Sequence, residues 1–132
     1  MKANEFRIGN LVKVRGEIVK VEQITKKKIG YHKEPRENVM RYAKLYEVKP
    51  IELTEDWTKE HIKCIEYIGF ITDMNIYGIP SVMQLIFSKG QIYRVYCIND
   101  VEEWRYGFAI KTLHDLQNWY YAITNKELEV EL

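Results

Sequence analysis

Over residues 104–110 the chain alternates without a fault. Trp104, Tyr106, Phe108 and Ile110 fall on one face, with Arg105, Gly107, Ala109 and Lys111 on the other. A period of two is the repeat of a strand buried on one side. Similar short runs recur at residues 82–87 and 91–98, joined across Ser88-Lys89-Gly90. A parallel crossover needs about a dozen residues or more, so connections this short make neighbouring strands antiparallel. With only two helical patterns in the chain, the expected fold class is α+β with mainly antiparallel sheet, not a doubly wound one.

The N-terminal third carries the same signal. Leu11-Val12-Lys13-Val14 faces Ile18-Val19-Lys20-Val21 across Arg15-Gly16-Glu17, which predicts a hairpin with one buried side. Ile24 breaks the alternation, so a bulge is expected near Glu22 or Gln23. Lys28-Ile29-Gly30-Tyr31 reads as a third strand, and Leu45-Tyr46-Glu47-Val48 as another, stopped by Pro50. Residues 32–38 are charged, contain Pro35 and read as a loop.

Two helices complete the expectation. Thr54 is a good N-cap, followed by Glu55 and Asp56 in the first turn. Trp57, His61, Cys64 or Ile65, and Ile68 recur at helical spacing, so the first helix is expected to run to Gly69. Thr112, with Asp115 three residues on, opens the second. Its buried stripe is expected to be Leu113, Leu116, Tyr120 and Ile123, and Asn125 suits a left-handed closing position. The resulting architecture is a small-barrel-like hairpin unit, a central helix, a three-stranded meander and a C-terminal helix. At 132 residues the chain reads as a single domain, 1–132. A domain of this size buries roughly two-thirds of its unfolded surface, so no cofactor or disulfide is required for stability.

Composition narrows the class further. No run approaches the ~18 apolar residues of a membrane span, and residues 1–10 contain no apolar signal core. Cys64 and Cys97 are the only cysteines, too few for a disulfide framework. The expected setting is cytoplasmic, away from any membrane. Net charge is +1, but it is unevenly spread: residues 1–50 hold 13 Lys or Arg against 6 Asp or Glu, and the remainder 7 against 13. The basic excess is densest at Lys26-Lys27-Lys28 and continues through Lys33, Arg36, Arg41 and Lys44. Tyr31, His32 and Tyr42 lie among these cations, and rings beside lysines suit base stacking with phosphate contact. Lys26, Lys27, Lys28, Tyr31, Lys33 and Arg36 are therefore candidate nucleic-acid contacts. The competing reading is that these lysines guard a sheet edge.

Groups able to do chemistry are scattered. His61 and Cys64 at i and i+3, with Cys97 and His114, number four zinc-type ligands, but there is no second short-spaced pair. Ser81 and Ser88 lie in no G-x-S-x-G turn. Asp73, Asp100, Glu102 and Glu103 read as loop carboxylates, and Gly9, Gly16 and Gly30 are isolated turn glycines with no phosphate-binding loop among them. No catalytic residue, metal site or cofactor is expected, and the chain reads as a non-enzyme. The last helix instead offers an outer face of His114, Gln117, Asn118 and Tyr121 with Trp119 on its flank. Such a face suits a protein partner or a second copy of the chain.

Three runs carry a resemblance. Residues 6–12 (FRIGNLV), 50–57 (PIELTEDW) and 113–124 (LHDLQNWYYAIT) are similar, in this order, to motifs of a family of short uncharacterised proteins. That family is associated with prophages and mobile elements of Bacteroides-group gut bacteria. Asn125 stands where the family pattern would have Gly. The resemblance implies a bacterial cytoplasm and a phage-derived setting, and it transfers no site residues. The function expected from the whole reading is a non-enzymatic interaction or self-associating domain, with a weak nucleic-acid-binding accessory protein as the alternative.

Overall fold

Leu11–Val14 (β1) and Glu17–Lys20 (β2) form the first hairpin, with Val14 opposite Glu17 so that Arg15 and Gly16 alone make the turn. Both turn residues have positive φ, 51° and 83°. That is the geometry matching the right-handed twist of a two-residue hairpin, and Gly16 adopts it without a Cβ penalty. In this computed structural model the described residues are 5–34, 37–98, 104–106 and 110–132. The chain divides into two compact units, Met1–Ile51 with Thr112–Asn118 and Glu52–Lys111 with Trp119–Leu132.

In the first unit, Gln23–Ile24 (β3), Lys28–Tyr31 (β4) and Arg41–Lys44 (β5) form one antiparallel sheet in the order β3-β4-β5. After a 3₁₀ turn at Leu45–Glu47, Val48–Lys49 (β6) joins a second sheet in the order β2-β1-β6. The break expected near Glu22 is thus a change of sheet, and residues 45–47 coil where a strand was expected. Val12, Val14, Val19 and Val48 from one sheet meet Ile29, Tyr31 and Ala43 from the other, with Phe6 and Val21, in one buried cluster. In β1 the alternation dictates this, Val12 and Val14 facing the cluster with Lys13 between them exposed, whereas in β4 Gly30 is covered as well as Ile29 and Tyr31.

In the second unit, Glu55–His61 (α1) is capped as expected, with Thr54 Oγ1 accepting from the Trp57 N–H at 3.2 Å. The helix stops at His61, well before Gly69. His61 and Lys63 instead pair their backbones with Glu131 and Glu129, and Ile62 bridges to Val130. Glu66–Ile71 (β7) and Met74–Ile79 (β8) then precede Met83–Ser88 (β9), Gln91–Ile98 (β10) and Trp104–Tyr106 (β11). The meander is therefore five-stranded, in the order β11-β10-β9-β8-β7. Met83, Leu85 and Phe87 of β9 are buried while the residues between them are half-buried. Only residues 104–106 of the expected 104–110 strand are described with a strand backbone; residues 107–109 lie outside the described set.

Leu113–Thr124 (α2) begins as expected, with Thr112 Oγ1 accepting from the Asp115 N–H, and Asn125 closes it at φ 58°. Its buried positions are Leu113, His114, Leu116 and Gln117, whereas Ile123 is exposed. The observed architecture is α+β, with three antiparallel sheets and two helices among the described residues. No helix among them is long and apolar enough to cross a membrane.

Candidate functional site

The basic run sits on a built turn. Between β3 and β4, Ile24 pairs with Ile29 and leaves residues 25–28 as the tip. The Thr25 N–H donates to the Lys28 carbonyl at 2.9 Å, and Thr25 Oγ1 accepts from the Lys27 and Lys28 N–H groups at 3.4 and 3.2 Å. The Lys27 carbonyl accepts from the Leu45 N–H at 3.0 Å, which ties the tip to the 3₁₀ turn. A threonine hydroxyl satisfying local backbone donors in this way is what favours it in turns.

Register then concentrates charge. Lys28 stands directly opposite Lys44 across β4 and β5, and Gly30 opposite Tyr42. Lys28, Lys44 and Tyr42 share the solvent face, since Ile29 and Ala43 between them are buried. Lys28 Nζ lies 4.2 Å from the Tyr42 ring centroid and Lys44 Nζ lies 5.8 Å from that of Tyr46. The Tyr42 hydroxyl donates to Gln23 Oε1 at 3.0 Å, which fixes the ring on this face. Lys26, Lys27, Lys28 and Lys44, with Leu45 and Tyr46, line a groove of about 820 Å³. Tyr46 is 70% exposed there. None of these four lysines forms a salt bridge among the described residues, whereas Arg15 pairs with Glu47 at 2.8 Å and Arg41 with Glu37 at 3.0 Å.

The other expected nucleic-acid contacts part company. Tyr31 is buried in the first unit's core, so its ring face is not available to a base. Lys33 lies beyond the opposite end of β4, where its N–H donates to Glu37. Arg36 lies outside the described residues. Tyr46 was hidden in the sequence because a strand reading for residues 45–48 gave it no reason to stand clear.

The expected outer face of the last helix is largely an inner one. His114 is 3% exposed and packs on Phe6 with ring centroids 5.5 Å apart. Gln117 is buried, accepting from the Leu11 N–H at 2.8 Å and donating to the Gly9 carbonyl at 3.4 Å. Asn118 Oδ1 accepts from Asn10 Nδ2 at 2.8 Å and from Arg7 Nε at 3.3 Å, while its amide donates to the Glu5 carbonyl. These side chains close the N-terminal segment onto the helix within the first unit. A partner therefore cannot reach His114 or Gln117. Trp119 is half-buried and Tyr121 is exposed.

Among the described residues no three or more His, Cys, Asp or Glu side chains come together so as to hold a metal ion. Burial pushes both the Cys64 and Cys97 thiols up, away from the thiolate a nucleophile needs. His61 Nδ1 lies 2.7 Å from the Glu131 carbonyl, and its ring packs at a tilt of 41° against that of Trp57, centroids 4.5 Å apart. Burial pulls His114 below the ordinary imidazole range, against Asp115 and Glu5, which act the other way. Asp100, Glu102 and Glu103 lie outside the described residues. Tyr77 is strongly perturbed: burial, then the Glu55 carboxylate, push its phenol up.

A second surface was not foreseen in the sequence. β7 is the outermost strand at its end of the five-stranded sheet. Tyr67, Ile68, Phe70 and Ile71 are all exposed, Phe70 at 71%. Ile68 is the extra residue of a bulge against β8, and its Cδ1 folds over Gly78, where a Cβ would approach to 2.6 Å. The run Glu66–Ile71 contains neither Lys nor Pro, the residues that usually keep an open strand edge unpaired. Comparison of the chain with protein-family models, curated proteins and solved structures gives no match.

Proposed function

We propose that this protein is a non-catalytic interaction domain that pairs with a second copy of itself along β7. The observation that carries the reading is the apolar open edge of β7, with its four large exposed side chains. An antiparallel pairing centred on Gly69 would set Tyr67 opposite Ile71 and Ile68 opposite Phe70. Those are aromatic-to-β-branched pairs, each worth about 0.2–1 kcal/mol in a sheet. The same centre puts Glu66 opposite Thr72, so no like charges meet. An edge that is complementary to itself fits the two-fold symmetry of most small homo-oligomers.

The protein works without a cofactor in a bacterial cytoplasm, in the mobile-element setting that its three motif runs resemble. The two small sheets of the first unit, which share one core, are read as a small-barrel-like unit. Sedimentation equilibrium from micromolar to millimolar protein tests the self-pairing. The expected result is a dimer that a Phe70→Lys, Ile71→Lys double variant returns to monomer with its thermal midpoint retained. Wild-type protein that stays monomeric at millimolar concentration overturns the proposal, as does a double variant that dimerises unchanged.

A further inference from the structure

We propose that the groove between the Thr25–Lys28 tip and the 3₁₀ turn of the first unit binds single-stranded nucleic acid. The inference stands apart from self-pairing, because it rests on different residues and a different physical force. Its starting point is an arrangement that disfavours the fold. Like charges directly opposite one another across an antiparallel pair are destabilising, yet Lys28 faces Lys44 with Lys26 and Lys27 alongside. No carboxylate forms a salt bridge with any of the four among the described residues, although the same unit pairs Arg15 and Arg41 with Glu47 and Glu37. Glu47 feels the charge of Lys44 but pairs with Arg15, and a polyanion in the groove would supply further counter-charge to the four lysines.

The aromatic residues select among polyanions. Tyr46 stands largely free at the groove wall, and Tyr42 is 44% exposed on the adjoining sheet face with Lys28 over its ring. A ring beside ammonium groups accommodates a base on its face while its phosphates meet the lysines, the combination used by single-strand binders. A base inside a duplex keeps both faces stacked and cannot use Tyr46 in this way. A membrane surface fits less well, because the tip, Thr25-Lys26-Lys27-Lys28, offers no large apolar side chain to insert. A fixed tip also helps, since the backbone bonds of Thr25 and Leu45 hold the lysines in place before any ligand arrives.

The test is fluorescence anisotropy with the full chain at low ionic strength. The probes are a labelled oligo-dT, an oligo-U, an abasic strand of the same length and a duplex, with vesicles of phosphatidylserine and phosphatidylcholine as competitor. Expected are binding of the base-bearing single strands about tenfold or more above the abasic strand, and a log–log salt slope near −3. Four lysine–phosphate contacts at about −0.7 each give that slope. Tyr46→Ala should lose most of the preference over the abasic strand and Tyr46→Phe should keep it. Lys28→Gln with Lys44→Gln should flatten the slope by about one to one and a half. The dT and U arms decide between DNA and RNA, and either supports the site. Four outcomes overturn it: no salt-sensitive binding, equal affinity for abasic and base-bearing strands, duplex preferred, or vesicles displacing the oligonucleotide. Tyr46 is so exposed that its variants should fold, and an unchanged thermal midpoint confirms that each result concerns the groove.

Discussion

Gln117 Oε1 accepts a 2.8 Å hydrogen bond from the N–H of Leu11, the first residue of β1. The same amide donates to the Gly9 carbonyl, so one buried side chain serves the backbone on both sides of Asn10. Replacing it with an isosteric apolar group leaves the Leu11 N–H without that partner. An orphaned buried donor costs about 1–3 kcal/mol. Gln117→Leu should therefore lower the urea midpoint by that equivalent, and Gln117→Glu should cost no less at neutral pH, because it buries a carboxylate against the Gly9 carbonyl. Equal stability of wild type and Gln117→Leu would show that water replaces the amide.

His114 predicts an acid-side loss of stability. Its native imidazole is held below the ordinary range by burial, so the native state stays neutral while the unfolded chain takes up a proton near pH 6.5. The unfolded state then binds more protons, and stability falls as pH drops from about 6.5 toward the depressed native value. Above that window the contribution is complete. The groups facing the ring are Thr112, Asp115, Phe6 and Glu5. Urea titrations between pH 7.5 and 5 should show a slope that His114→Gln reduces. The lowered Glu22, Glu37 and Glu47 carboxylates act further down, where their contribution is lost below the ordinary carboxylate range.

Tyr77 predicts the alkaline counterpart. Its hydroxyl donates to Glu55 Oε2 at 2.7 Å, and the same oxygen accepts from Asn75 Nδ2 at 3.0 Å. Because the native phenol is raised, the stability linked to it is fully present below the ordinary tyrosine value near 10 and declines as pH climbs past it. Tyr77→Phe should remove that decline and cost about 1.5–3 kcal/mol at neutral pH, the range for a hydrogen bond to a charged acceptor. The ring packing against Tyr67 and Phe87 is retained in that variant, so a much larger loss would indicate a different cause.

The opposed lysines make a prediction about salt. Screening weakens like-charge repulsion between exposed groups, so wild-type stability should rise between about 20 mM and 500 mM salt. Lys28→Glu places unlike charges across β4 and β5. It should gain up to about 1 kcal/mol at low salt and lose that gain at high salt. Oligonucleotide affinity should fall in the same variant. Thermal unfolding at the two salt concentrations reads the first effect directly, and an unchanged midpoint at low salt would mean the two ammonium groups avoid each other.

How much of this was legible depended on range. The Arg15-Gly16 hairpin, the Thr54 and Thr112 caps and the Asn125 closure are decided within a few residues, and they could be read from the sequence. The stop at His61 could not be read, because it is enforced by backbone bonds to Glu129 and Glu131, almost seventy positions away. Ile65 and Ile68 happened to continue the helical spacing, so β7 was concealed inside an apparent helix. The candidate surfaces followed the same rule. Lys26, Lys27 and Lys28 were visible as a run, but only strand register brings Lys44 and Tyr46 to them. His114 and Gln117 looked outward because their partners, Phe6, Gly9 and Leu11, lie over a hundred residues earlier.

Both compact units draw on the chain twice, since α2 gives its opening residues to one and its remainder to the other. No single scission can therefore release the first unit as a whole, because residues 112–118 lie beyond the entire Glu52–Lys111 segment. A fragment ending at Ile51 forfeits the amide of Gln117, and one starting at Glu52 carries that amide with nothing to hold. Gene fusions and shortened versions that keep the first unit must therefore also carry residues 112–118 from the far end of the sequence.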